Sequence, residues 1–105
     1  MKLILIVLIA LLLGCSSTGS TSKVSEKSLL IQNGDSKERI IEIFGEIGSR
    51  SFSGNREAWQ YCSTGFNSDI YVIVWFTNGS VTGVTKRNGY GNGLCSEHFF
   101  NIDWS

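Results

Sequence analysis

Cys62, Cys95 and His98 are the residues of this 105-residue chain with the most versatile chemistry. Thiolate and imidazole together are zinc donors, so the three could form part of a metal site. No fourth ligand stands at an obvious spacing, and neither cysteine belongs to a C-x2-C pair. A cysteine paired with His98 could also act as a nucleophile, which requires a free thiol held toward its thiolate form. The third option is a disulfide between Cys62 and Cys95. Asp35, Glu38 and Glu42 lie close together, as a hydrolytic carboxylate pair would need. They fall around the start and exposed face of a helix, however, where the helix dipole and solvent favour acids without any catalysis. Asn88-Gly89-Tyr90-Gly91-Asn92-Gly93 has the glycine content of a phosphate cradle, but it carries no Lys-Ser/Thr and does not open a helix. It reads as a flexible linker to Cys95, and His98 reads as a tail or surface residue. No catalytic residue and no metal ligand is assigned.

Cys15 stands apart from the other two cysteines. Lys2 is followed by an unbroken apolar run of 11 residues, Leu3 to Leu13, and then by Gly14-Cys15. A membrane-spanning helix needs about 20 apolar residues, so this run has the length of a signal-peptide core instead. Leu12-Leu13-Gly14-Cys15 resembles the lipobox of bacterial lipoproteins. The resemblance implies cleavage before Cys15, diacylglycerol on its thiol and an acyl chain (palmitate) on its new amine. Each buried CH2 adds about 0.8 kcal/mol, so two or three chains together anchor a protein stably. In outer-membrane lipoproteins a residue other than Asp after the cysteine permits transport to the outer membrane, and here that residue is Ser16.

With Cys15 lipidated, Cys62 and Cys95 form an even pair in an exported protein, most simply a disulfide. It would close a loop of 33 residues. An oxidising compartment also argues against a free catalytic thiol. Ser16 to Ser28 is rich in Ser, Thr, Gly and Lys and reads as a tether, because it cannot bury enough surface to offset chain entropy. The expected folded unit is residues 29–105, one small domain of the size that often needs a covalent staple. Loss of Lys2 with the leader takes the nine Lys+Arg to eight against nine Asp+Glu. A balance near neutrality gives no reason to expect nucleic acid.

Several elements must position these residues. Leu29-Leu30-Ile31 suits the last turn of a short helix, stopped by Asn33-Gly34. Ser36 to Gly45 predicts an amphipathic helix with Ser36 as N-cap, Ile40, Ile43 and Phe44 on one side, and Gly45 as terminator. Residues 49–55 are polar and turn-rich and read as a loop. Three strands follow, over 57–63, 69–77 and 80–87. The middle one, Asp-Ile-Tyr-Val-Ile-Val-Trp-Phe-Thr, is apolar on both faces and should be central and covered on both sides. Asn78-Gly79 predicts a type I′ hairpin turn. A two-residue turn pairs Phe76 with Val81, Trp75 with Thr82 and Ile73 with Val84. One face then holds Val72, Val74, Phe76 and Val81, and the other Tyr71, Ile73, Trp75 and Val84. The tail, with Leu94, Phe99, Phe100, Ile102 and Trp104, has the side chains to cover the face the helices leave open, pinned through Cys95.

The run from Asn33-Gly34-Asp35-Ser36-Lys37-Glu38 through Ile40-Ile41 to Phe44-Gly45 resembles a segment of the SmpA/OmlA (BamE-like) lipoproteins. Trp59-Gln60-Tyr61 is similar to that family's W-x-Y strand, and Val74-Trp75-Phe76-Thr77-Asn78-Gly79-Ser80-Val81 to its hairpin. Asp35 stands where the family usually has Met, and Glu46-Ile47 where it has Pro. The resemblance implies two helices packed on a three-stranded antiparallel sheet, on an outer-membrane-tethered accessory domain. In the best-known member that domain is a subunit of the β-barrel assembly machinery. No partner-binding residue is carried over.

The combined expectation is an α+β two-layer domain: two N-terminal helices on a three-stranded antiparallel sheet, with a disulfide-pinned C-terminal tail. It is expected to be a non-enzymatic outer-membrane lipoprotein facing the periplasm, acting as a scaffold or protein-binding module toward another envelope protein. No nucleic acid and no cofactor is expected beyond the covalent lipid on Cys15. Tyr71, Trp75, Tyr90 and Trp104 are the candidate partner surface, since aromatic side chains dominate interface energetics. The alternative is a periplasmic inhibitor or sensor lipoprotein acting on a cell-wall hydrolase.

Overall fold

The computed structural model describes residues 23–65, 68–90 and 93–105, with Tyr90 by its backbone alone. Cys15 and its lipobox lie outside the described residues. Two short helices, α1 (Val24–Lys27) and α2 (Lys37–Phe44), precede an antiparallel sheet of strands β1 (Ser49–Ser53), β2 (Arg56–Ser63), β3 (Ser68–Thr77) and β4 (Ser80–Tyr90). The strands are ordered β1-β2-β3-β4. The fold is therefore α+β, with four strands where the sequence predicts three.

The extra strand, β1, falls within the segment read as a loop. Ser53 pairs with Arg56, so Gly54-Asn55 is a two-residue hairpin turn and Ser49 to Ser53 run back along β2. Gly-Asn between two runs is itself a hairpin signal. Here it is masked by the polarity of Ser-Arg-Ser-Phe-Ser, which suits an edge strand with little to bury. The folded part also begins before Leu29. Val24 is buried in the core, and its N–H donates to the Ser63 hydroxyl at 2.9 Å.

Helix α2 forms as its pattern predicts. The Ser36 hydroxyl accepts from the Arg39 N–H at 3.1 Å, and the chain leaves the helix at Gly45. Ile40 and Ile43 are buried with Val24, Trp59, Tyr61, Val72, Val74, Phe76 and Val81, which form the core between the helices and one sheet face. The turn before α2 closes onto the start of β4: the Gly34 N–H donates to the Val81 carbonyl at 2.8 Å, and the Val81 N–H to the Asp35 carbonyl at 2.9 Å. The helical layer is thus tied to the sheet edge by backbone bonds as well as by packing.

The β3–β4 hairpin turns at Asn78 (φ 51°) and Gly79 (φ 82°), the positive pair a type I′ turn requires. Thr77 faces Ser80 and Phe76 faces Val81 as predicted, but Trp75 pairs with Gly83 instead of Thr82. Thr82 is the extra residue of a β-bulge. The shift moves Val84 opposite Val74, onto the helix-side face, and puts Thr85 opposite Ile73. The bulge corrects the expected grouping of Val84 with Tyr71, Ile73 and Trp75. It also fits β4's place as a long edge strand, since a bulge twists an exposed edge away from pairing with another chain.

A covered sheet face as candidate interaction site

Two-residue alternation places Ala58, Gln60 and Cys62 of β2 beside Tyr71, Ile73 and Trp75 of β3, on the face away from the helices. The C-terminal tail covers this face. Its root is a 3₁₀ turn, Cys95–Glu97, joined to β2 by the Cys62–Cys95 disulfide with Cα atoms 6.1 Å apart. Both sulfurs are consumed by that bond, so neither is a thiolate free to bind metal or attack a substrate. The Cys95 N–H donates to the Thr64 hydroxyl at 3.2 Å, and the Tyr71 hydroxyl donates to the Cys95 carbonyl at 3.1 Å.

Beyond the root, Gln60 holds the chain. Its side-chain amide donates to the Phe100 carbonyl at 2.6 Å and accepts from the Phe100 N–H at 3.0 Å. A primary amide carries one donor and one acceptor side by side, as a backbone peptide does, so Gln60 substitutes for the edge of a strand. This accounts for a polar side chain that is 1 % exposed amid apolar neighbours. The rings add the rest. Tyr71 meets Phe100 edge-on at 4.8 Å, and the Arg87 guanidinium lies 3.9 Å from the centre of the Phe100 ring. Trp75 meets Trp104 edge-on at 5.8 Å, and Arg56 lies 5.2 Å over Trp104 while donating to its carbonyl at 2.9 Å. Gly89 leaves the space that Tyr71 fills: a Cβ there would come within 2.7 Å of the Tyr71 ring.

Of the candidate surface residues, Tyr71 is 1 % exposed beneath the tail. Trp75 and Trp104 are half-buried against each other, and Tyr90 ends β4 with its side chain outside the described residues. Tyr71, Trp75 and Trp104 therefore meet on one face, two in its floor and one in its cover. The carboxylates named with them are dispersed. Asp35 accepts from the Gln32 N–H at 2.8 Å, Glu42 pairs with Arg39 at 3.3 Å, and Glu38 is exposed. Asn88, Gly89 and Tyr90 of the glycine-rich segment belong to β4 and are not linker.

Two polar features were not anticipated from sequence, one on the helix side and one at the sheet edge. Glu57 is buried in the sheet face and accepts from the Trp59 indole N–H at 2.7 Å, from Lys37 and, at 3.3 Å, from Arg50. Burial pushes its pKa up, but the bonds from Lys37, Trp59 and Arg50 together outweigh burial and hold it below the usual carboxylate value. The signal lay in the i, i+2 spacing of Glu57 and Trp59, which puts both on one strand face. The second feature is a groove of about 310 Å3 where β2 runs past the end of β1, bordered by Val24, Lys27, Phe44, Tyr61, Ser63 and Phe99. Tyr61 stacks on Phe44 at 4.3 Å, and its buried hydroxyl has no hydrogen-bond partner among the described residues. Burial pushes its pKa up to about 12. On the tail side Asp69 is fully buried, with one oxygen accepting from the Gly65 N–H at 3.2 Å. Burial, and then the Asp69 charge, raise the pKa of Tyr71.

No family model, curated protein or solved structure matches the chain.

Proposed function

We propose that this chain is an outer-membrane lipoprotein, anchored by diacylglycerol and an acyl chain on Cys15. Its α+β domain faces the periplasm and binds another envelope protein, as a scaffold or accessory module of the BamE-like kind and not as an enzyme. The observation that carries the anchor is Leu12-Leu13-Gly14-Cys15 closing an 11-residue apolar run behind Lys2. The Cys62–Cys95 bond supports export, because disulfides persist in oxidising compartments. The binding role is supported by the aromatic, arginine-flanked layer that the C-terminal tail forms on one sheet face, where Trp75 and Trp104 are only partly buried.

Palmitate labelling of cells expressing the chain, with and without Cys15→Ser, tests the anchor. Label on the natural chain and none on the variant is expected. An unlabelled protein, or a mature N-terminus other than Cys15, refutes it. Crosslinking in cells, detergent extraction and mass spectrometry of the attached proteins test the partner. If no barrel-assembly subunit is recovered, the machinery role is abandoned.

A further inference from the structure

The helical layer carries large apolar side chains that the core does not use. Leu29 is 76 % exposed and Leu30 55 %, the only adjacent pair of its kind among the described residues. Ile41 of α2, 45 % exposed, adds a third to the same layer. Phe52, Val84 and Leu94 are exposed singly, which is ordinary for a protein surface. Local geometry turns the leucine pair outward. Ser28–Leu30 is a 3₁₀ turn, in which residues three apart lie on one side. Ser28 is buried, its hydroxyl donating to the Ser25 carbonyl at 2.7 Å, and Ile31 packs against the core. With Ser28 and Ile31 inward, Leu29 and Leu30 point out. Val24, buried on the other side of the pair, fixes the segment at both ends, so the leucines cannot roll under without withdrawing core side chains.

The anchor lies close to this pair in the chain. Eight residue steps separate Cys15 from Lys23, at most about 29 Å of backbone. From Lys23 the α1 segment reaches Leu29 in six more, at helical rises of about 1.5–2.0 Å each. A domain of this size is about 30 Å across. A lipidated Cys15 therefore keeps the domain within roughly its own width of the bilayer, and the helical layer is the part that α1 joins to the anchor. Held so near, a few apolar side chains meet lipid at a high effective concentration and need little affinity of their own. Charge is not the attraction, because residues 23–46 hold four Lys or Arg against five Asp or Glu.

We infer that Leu29 and Leu30 form a lipid-contact site: they enter the headgroup boundary of the membrane that holds Cys15, and the domain lies on the bilayer by its helical layer. The inference rests on reading Cys15 as the lipid anchor. It also gives the domain an orientation. The sheet separates the helices from the C-terminal tail, so the tail-covered face with Trp75 and Trp104 turns away from the lipid.

The test uses the protein purified from membranes with its lipid, verified by intact mass, in phosphatidylcholine vesicles with and without brominated acyl chains, which quench tryptophan on contact. Leu29→Trp and Leu30→Trp place reporters at the pair. Leu94→Trp places one at a comparably exposed position beside the root of the tail. Emission of the natural protein is subtracted. The tryptophan at 29 or 30 should lose at least about half of its emission, since interfacial side chains sit about 5–10 Å into the headgroup boundary. The reporter at 94 should lose little. Quenching at 29 and 30 no greater than at 94 overturns the inference. A reporter at 29 or 30 that shifts to the blue without quenching is covered by protein, a second copy included, and overturns it too. The natural protein supplies a reading that needs no variant: its emission should be nearly unquenched, and strong quenching would mean that Trp75 and Trp104 face the lipid, the opposite orientation. Protein that lacks the lipid mass on Cys15 fails at the anchor, and the inference falls with it, so the two failures are told apart by that mass.

Discussion

Replacing both members of the tail's covalent root, as Cys62→Ala/Cys95→Ala, opens a loop of 33 residues in the unfolded chain. The chain-entropy relation assigns that closure about 12.5 cal/mol/K, or about 3.7 kcal/mol at 25 °C. Domains of this size are stable by only about 5–15 kcal/mol in all, so the bond supplies a quarter or more of the total. At about 4–8 °C per kcal/mol, the melting temperature should fall by roughly 15–30 °C. Urea unfolding followed by tryptophan fluorescence reads the effect directly, since Trp59, Trp75 and Trp104 sit in the helix-side core, the floor and the cover respectively. The denaturant slope should rise as well, because an unfolded chain freed of its loop exposes more surface. The reasoning fails if the doubly substituted protein loses less than about 1 kcal/mol with an unchanged slope, since the tail would then be held without help from the loop constraint.

Glu57→Ala strands the buried Trp59 indole N–H and should cost about 1–3 kcal/mol in a denaturation experiment. Because the folded-state pKa of Glu57 is depressed, its contribution is present above its ordinary value of 4.5 and is lost as pH falls through the lower folded value. Acid unfolding of the natural protein should therefore be steeper below pH 4.5 than that of Glu57→Gln. Tyr61 should ionise near pH 12 when tyrosinate absorbance is followed, against 10.0 for the unfolded chain, and Tyr61→Phe should remove that late step. Since its folded pKa is raised, its share of stability is complete below pH 10.0 and disappears as pH climbs toward 12. Gly89→Ala forces Tyr71 aside, and about 1–3 kcal/mol of lost stability is expected, with loss of the Tyr71–Cys95 hydrogen bond visible as faster exchange in the tail. A Gly89→Ala protein as stable as the natural one would show that the ring relocates freely.

Elements whose residues agree on one answer were legible in the sequence. Asn78-Gly79 between apolar runs leaves little choice of turn, and β3 is so uniformly β-branched and aromatic that a central strand is its natural state. Ser36 as N-cap and the Ile40/Ile43 spacing likewise located α2. Strand β1 was hidden because an edge strand needs backbone bonds more than buried side chains, and Phe52, its one large apolar residue, stays mostly exposed. The bulge at Thr82 was invisible for a related reason: adding one residue to an edge alters pairing while leaving composition unchanged. At the candidate site, the cysteine pair could be read from the even number left once Cys15 is set aside, and the covering tail from its apolar content. The role of Gln60 could not, because it depends on which backbone atoms of Phe100, 40 positions away, come within reach.

The strand order also bears on how the domain can form. Every strand pairs only with its neighbours in sequence, so the sheet can be assembled from successive hairpins, each closed by a two-residue turn or a short loop. Local pairing of this kind costs little loop entropy and favours rapid folding. The last eleven residues must travel back across strands already laid down, and the pairing of β2 with β3 builds the face on which the Cys62–Cys95 bond roots them. A bond already formed between that pair would hold the ends of the 33-residue loop together while the sheet assembles, so the tail would have only a short search for the face it covers.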